Sequence, residues 1–185
     1  MPCDFQTASQ QSQSDFLRIL QNPLEQLLEG RIVSTEGNGE IGHLLDTRAG
    51  IDAILDHPKY GLLGIGIRIQ YGRDYRTFTI RKQRETQVKT EYAKHADAML
   101  EGGITTKFNI HAYIDEKTGL LLSAAIALTR DIYDCIDKGL GDVRMTGNDQ
   151  IGRATFYVVD WDTLRDNGLW IHEFNQNKQE ALCQK

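Results

Sequence analysis

Asp52, Arg68 and Gln70 are the residues of this chain best placed to do chemistry. They stand in a stretch otherwise rich in Ile, Leu and Gly, residues 50–72, GIDAILDHPKYGLLGIGIRIQYG. Arg68 and Gln70 are two positions apart on a predicted strand, so the period-two alternation puts them on one face. Gly64, Gly66 and Gly72 fall on that same face. A row of polar or missing side chains cannot cover a core, so the face either packs under a close helix or lines a cleft. Asp52 opens the preceding strand, one hairpin away and within reach of Gln70. A carboxylate and an amide oxygen are ligands for a hard divalent cation, Mg²⁺ or Mn²⁺. Such an ion lowers the pKa of bound water and stabilises charge developing on a phosphate. The plainer alternative is that Asp52 caps a turn and Arg68 pairs with a nearby acid.

Charge supplies a second signal. Between Arg68 and Lys94 lie eight basic residues, Arg68, Arg73, Arg76, Arg81, Lys82, Arg84, Lys89 and Lys94, against the acids Asp74, Glu85 and Glu91. That stretch carries +5 within a chain of −5, so the remainder carries −10. A local cationic field beside a phosphate-directed site suits a polyanion, because phosphate contacts position a nucleic acid whatever its sequence. Arg73, Arg76, Arg81, Lys82, Arg84 and Lys89 are the expected nucleic-acid contacts. Tyr71, Tyr75 and Phe78 are interleaved with them and offer faces on which bases stack. The alternative is a solvated sheet edge, where Arg and Lys discourage edge pairing.

Those residues need a scaffold. Residues 14–29 place Phe16, Ile19, Leu20, Leu24, Leu27 and Leu28 on one helical stripe, with Asn22 and Pro23 read as N-cap and N1 of a restarted helix and Gly30 as the stop. Residues 31–49 carry no readable pattern. Strands are predicted at 50–56, 62–72 and 76–82, joined by short turns into an antiparallel meander. A helix follows at about 86–101. Residues 106–114 alternate as a strand with one wet face, and 120–128 are apolar on both faces, as in a central strand. A short helix at 131–138 and strands at 155–161 and 169–174 around a DWDTL turn complete the pattern. Residues 139–153, with four glycines, read as a mobile loop. The fold class is α/β, with a mixed sheet: N-terminal helix, three-stranded antiparallel meander, helix, further strands. The expected organisation is a disordered tail at 1–13, one α/β domain at 14–175 and a flexible tail at 176–185.

An α–β–β–β–α–β order, with GID at the first strand and GIRIQYG on the second, resembles the PD-(D/E)XK nuclease superfamily. The resemblance covers about residues 14–130 and implies a restriction-endonuclease-like fold. It implies a Mg²⁺-dependent phosphodiester hydrolase with Asp52 and Gln70 as metal ligands and Asp52, Arg68, Gln70 and Lys94 as the catalytic set. The second strand carries Arg68-Ile69-Gln70 where that family has Glu-x-Lys. Gln is an accepted replacement for the Glu, and the lysine migrates in some relatives; Lys82, Lys89 and Lys94 are the candidates. Glu25, Glu36, Glu40 and Asp46 are open as further acids. A non-catalytic relative that binds nucleic acid, or a protein-interaction domain, is the alternative.

Several classes are disfavoured. Cys3, Cys135 and Cys183 form no CxxC pair and are odd in number, which argues against a disulfide framework or zinc knuckle and for a reducing cytoplasm. No apolar run approaches the roughly 20 residues of a membrane span. The first residues show no basic segment followed by an apolar one, so no signal peptide is expected. The histidines form no HExxH pair. His111 is expected to point outward with Lys107 and Asn109, His172 to sit at an edge, and Glu91, Lys94 and His95 to form a solvent-facing helix face. No P-loop or nucleophile elbow is present. The expected partner is a nucleic acid, not a membrane, with a homodimer left open.

Overall fold

The computed structural model describes residues 11–35, 39–84, 89–100, 104–148 and 152–175. The expected tail at 176–185 and residues 1–10 lie outside them. Residues 11–13, expected in the tail, are already helical, and Gln13 Nε2 donates to Ser34 Oγ at 3.1 Å.

The chain enters through a π-turn, Phe16–Leu20, that runs straight into α1, Gln21–Leu28. Asn22 and Pro23 therefore do not restart a helix. Pro23 has no N–H to give, and the helix widens just before it, with Gln21 N–H bonding Phe16 O. Glu29, at φ 51°, ends α1 in the left-handed conformation.

Strands β1 (Arg31–Ser34), β2 (Ala53–His57), β3 (Gly61–Tyr71), β5 (Thr106–Ile114), β6 (Leu121–Leu128) and β9 (Ile171–Asn175) form one sheet in the order β1-β2-β3-β5-β6-β9. Only β3 and β5 are parallel, so the sheet is mixed. Strands β4 (Thr77–Arg84), β7 (Asp142–Asn148) and β8 (Gly152–Asp160) form a second, antiparallel sheet in the order β4-β8-β7. The helices between them are α2 (Gly39–Ala49), α3 (Glu91–Leu100), α4 (Thr129–Asp137) and α5 (Trp161–Asp166). No described helix is long and apolar enough to cross a membrane.

The expected meander has the wrong members. The antiparallel run is β1-β2-β3, with only β2 and β3 joined by a short turn and α2 lying between β1 and β2, and β4 leaves the sheet to pair with β8. Gly72 at φ 101° and Arg76 at φ 51° bend the chain away between β3 and β4. Asp74 Oδ1 accepts from Arg76 N–H at 3.0 Å to hold that bend. Strand β5 then takes the edge of β3 that β4 did not use.

Residues 31–49 hold β1 and α2, neither of which the pattern revealed. Strand β1 is only four residues long, and Ile41 and Leu44 of α2 face solvent, so no apolar stripe marks that helix. The expected loop at 139–153 contains β7 and the start of β8, with 149–151 outside the described residues. The DWDTL turn is helical, since Trp161 and Leu164 both plug the core one turn apart.

Two apolar clusters share the large sheet. On one face Leu20, Leu24 and Leu28 of the N-terminal helix pack on Ile65, Ile110, Ala112 and Ile126. On the other, Tyr113, Ala125 and Ala127 meet Phe78 and Ile80 of β4, Ile132 and Ile136 of α4, and Trp161. Strand β6 is thus buried on both faces, as its composition predicts. So is β5, whose expected wet face is covered by the second layer.

Candidate functional site

Strand β3 carries two faces with different chemistry. Ile65, Ile67, Ile69 and Tyr71 join the first cluster, while Gly64, Gly66, Arg68 and Gln70 point the other way. The glycines answer a packing demand: a Cβ at Gly64 would lie 2.7 Å from Thr105 O, and one at Gly66 would lie 2.8 Å from Asn109 Oδ1. Further along, Arg68 and Gln70 line a cleft of about 1410 Å³.

The cleft is walled by α2 and α3, with β3, Arg81 of β4, Ser34 of β1 and the N-terminal residues Ser12, Gln13 and Phe16 also lining it. Asp52, Arg68, Gln70 and Lys94, drawn from three separate parts of the chain, all line it, as do Arg48, Arg81 and Lys89. Asp52 sits just before β2, with its N–H on Ile65 O at 2.9 Å. Its carboxylate Oδ2 accepts from Ile67 N–H at 2.7 Å, so it ties the end of β2 to β3. Gln70 Nε2 reaches Thr79 Oγ1 at 3.5 Å.

The cations differ in how strongly they are held. Arg68 pairs with Glu91 at 2.8 Å, and Lys94 donates to Asp46 O at 2.7 Å and lies 3.5 Å from its carboxylate. The expected solvent-facing set Glu91, Lys94 and His95 is therefore dispersed: the first two serve the cleft, and His95 is buried at 1% exposure. Lys89 pairs with Asp97 at 2.6 Å, with both partners exposed. Arg81 and Arg48 make no ion pair among the described residues. The guanidinium carbons of Arg68 and Arg81 each lie 5.4 Å from the ring centre of Phe156, one aromatic ring serving two cations. The Arg81 Nε is buried without a partner among the described residues.

Other expected contacts lie elsewhere. Arg76 pairs with Glu173 at 2.5 Å and packs over Trp161 at 5.1 Å. Arg73 lies over Tyr75 at 5.5 Å, and Lys82 over Tyr157 at 4.8 Å. None of these three lines the cleft, and the Arg84 side chain lies outside the described residues. Of the further acids, Asp46 lines the cleft. Glu25 instead accepts from Ile32 N–H at 2.7 Å and fastens α1 to β1, and Glu40 is exposed on the first turn of α2. Glu36 lies outside the described residues.

Beneath the cleft two histidines are buried. His111 is opposite Arg68 in the β3–β5 ladder and 1% exposed, not outward as expected, because β4 crosses above it. Its Nδ1 lies 3.1 Å from Thr77 O and 3.3 Å from Thr79 N, and its Nε2 has no partner among the described residues. Burial, with Arg68 adding to it, holds its pKa well below the ordinary imidazole value. His95 Nε2 lies 3.0 Å from Thr106 Oγ1, which itself donates to Ala49 O at 3.1 Å, so the imidazole donates there. Its Nδ1 is left to accept from Tyr133 O–H at 2.9 Å. Burial lowers the His95 pKa and pushes the Tyr133 hydroxyl up.

Asp46, Asp52, Glu91 and Asp97 line the cleft with Gln70, but Asp52 is engaged by a backbone N–H and Glu91, Asp46 and Asp97 are paired with Arg68, Lys94 and Lys89. No group of three or more His, Cys, Asp or Glu among the described residues could hold a metal ion. The arrangement can instead receive an anion, through Arg48 and Arg81 first and Lys89 next. Arg48 carries no sequence signal because its helix has no apolar stripe, and Phe156 none because its contact with Arg68 and Arg81 joins distant parts of the chain. No family model, no curated protein and no solved structure matches this chain.

Proposed function

We propose that this protein binds a nucleic acid along the cleft between α2, α3 and the β3–β4 face. The observation that carries the reading is Arg81, a half-buried cation on the cleft wall with no carboxylate partner among the described residues. Arg48 on the facing helix is a second cation without a carboxylate partner among the described residues, and it is exposed. Lys89 joins them at low cost, since an exposed ion pair is worth at most about 1 kcal/mol and exchanges readily for a phosphate. Phosphates are the anions such a row of cations recognises without regard to sequence. Compartment is part of the same reading: the buried free thiol of Cys135 suits a reducing cytoplasm.

Cleavage is the second reading, in line with the nuclease-like resemblance. It is supported by Asp52, Arg68, Gln70 and Lys94 lining one cleft. The engagement of the Asp52 carboxylate by Ile67 N–H favours binding over hydrolysis. One assay separates the two. Labelled single- and double-stranded DNA and RNA are incubated with the protein in Mg²⁺ or in EDTA. Retention of intact strands in both supports binding alone. Mg²⁺-dependent products lost in Asp52→Ala establish the nuclease reading, and neither retention nor cleavage rejects both.

A further inference from the structure

The second sheet has β7 at one edge. Among the described residues β7 is paired with β8 on one side only. Natural edge strands are usually blunted by charged side chains, lysine above all, by proline or by a bulge. Strand β7 reads Asp-Val-Arg-Met at its start, with no lysine, proline or bulge over residues 142–145, and its two charges are of opposite sign. Its Val143 and Met145 are 54% and 67% exposed. Val143 stands opposite Tyr157, which packs on the second apolar cluster, so that cluster's face runs outward and stops at the edge. The other face of β7 presents Asp142 and Arg144, 3.2 Å apart and both exposed.

We propose that β7 pairs antiparallel with β7 of a second copy of this chain, about a two-fold axis through Val143. The two three-stranded sheets then become one six-stranded sheet, by an isologous contact. The charges select both occupant and register. With Val143 opposite itself, Asp142 faces the partner's Arg144, and Arg144 faces the partner's Asp142. Two acids and two bases alternate on one face, while the two valines meet on the other at the close spacing of a cross-strand pair. Sliding the register by one residue on each chain places either Asp142 opposite Asp142 or Arg144 opposite Arg144. This inference stands apart from the cleft, to which no residue of β7 contributes.

Sedimentation equilibrium of the full chain tests it. The wild type is expected to show a concentration-dependent monomer–dimer equilibrium. Arg144→Asp sets acid against acid twice and is expected to weaken the dimer by about tenfold or more. The swap Asp142→Arg/Arg144→Asp restores the alternation with the signs exchanged and is expected to recover the wild-type constant. Far-UV circular dichroism checks folding, and Asp142→Arg, which sets base against base, applies the same test if Arg144→Asp is misfolded. A wild type that stays monomeric at about 500 µM, a dimer indifferent to either single reversal, or a swap that fails to rescue overturns the proposal.

Discussion

Asp52 illustrates how one carboxylate reads differently in sequence and in space. Its type and place suggested a metal ligand, and its observed contact is a hydrogen bond from Ile67 N–H. Asp52→Ala leaves that amide without its acceptor and is expected to destabilise the fold by about 1–3 kcal/mol, measured by urea unfolding. Asp52→Asn keeps an acceptor oxygen and is expected to cost less; equal losses would contradict the contact. Gly64 is a second residue-scale test. Alanine there would bring Cβ to 2.7 Å from a backbone oxygen that cannot rotate away, so a loss of about 1–3 kcal/mol is expected.

The buried histidines make a pH prediction. Both are held below the ordinary value of about 6.5, chiefly by burial. Below that pH the unfolded chain takes up protons that the folded chain refuses. Their contribution is therefore intact above pH 6.5 and is lost as pH falls, by up to about 1.4 kcal/mol per pH unit for each. Urea midpoints measured from pH 8 to 5.5 should fall on the acid side, and His111→Asn should flatten the slope. A stability independent of pH across that range would contradict the assignment.

At the scale of elements, the two sheets share no backbone ladder, so side chains must join them. Tyr113 does much of this: its hydroxyl contacts Thr77 N, Oγ1 and O at 3.1, 2.9 and 2.9 Å. Tyr113→Phe is expected to cost about 1–3 kcal/mol and to speed hydrogen exchange at the start of β4; exchange unchanged there would rule out this role. Strands β3, β4 and β6 were legible because they declare their faces by alternation or by unbroken apolar runs, whereas the short β1 and the glycine-containing β7 were not. How the strands pair was not legible. Short turns suggested that β4 follows β3 in one sheet, and nothing local says that a left-handed Arg76 diverts it. The placement of Arg68 and Gln70 on one face of β3 was legible from period two alone, whereas Asp52 stands just before β2 and reaches β3 through Ile67 N–H. The cleft above them was not legible, because its facing wall is α2, whose Ile41 and Leu44 point to water and leave no amphipathic signature.

For the whole molecule the central claim is electrostatic. A chain of net charge −5 holds a cleft in which Arg48 and Arg81 have no acid partner among the described residues. The most direct test is the salt dependence of oligonucleotide binding, followed by fluorescence anisotropy. Binding should be tightest at low salt, and log affinity should fall linearly with log salt concentration. Arg48→Gln and Arg81→Gln should each reduce that slope by roughly 0.7–0.9 unit, the share of one phosphate contact. Arg76→Gln, whose guanidinium is committed to Glu173 outside the cleft, should leave the slope unchanged. A wild type that binds neither DNA nor RNA at about 20 mM salt, where screening is weakest, would contradict the account, as would slopes that respond to Arg76 and not to Arg81.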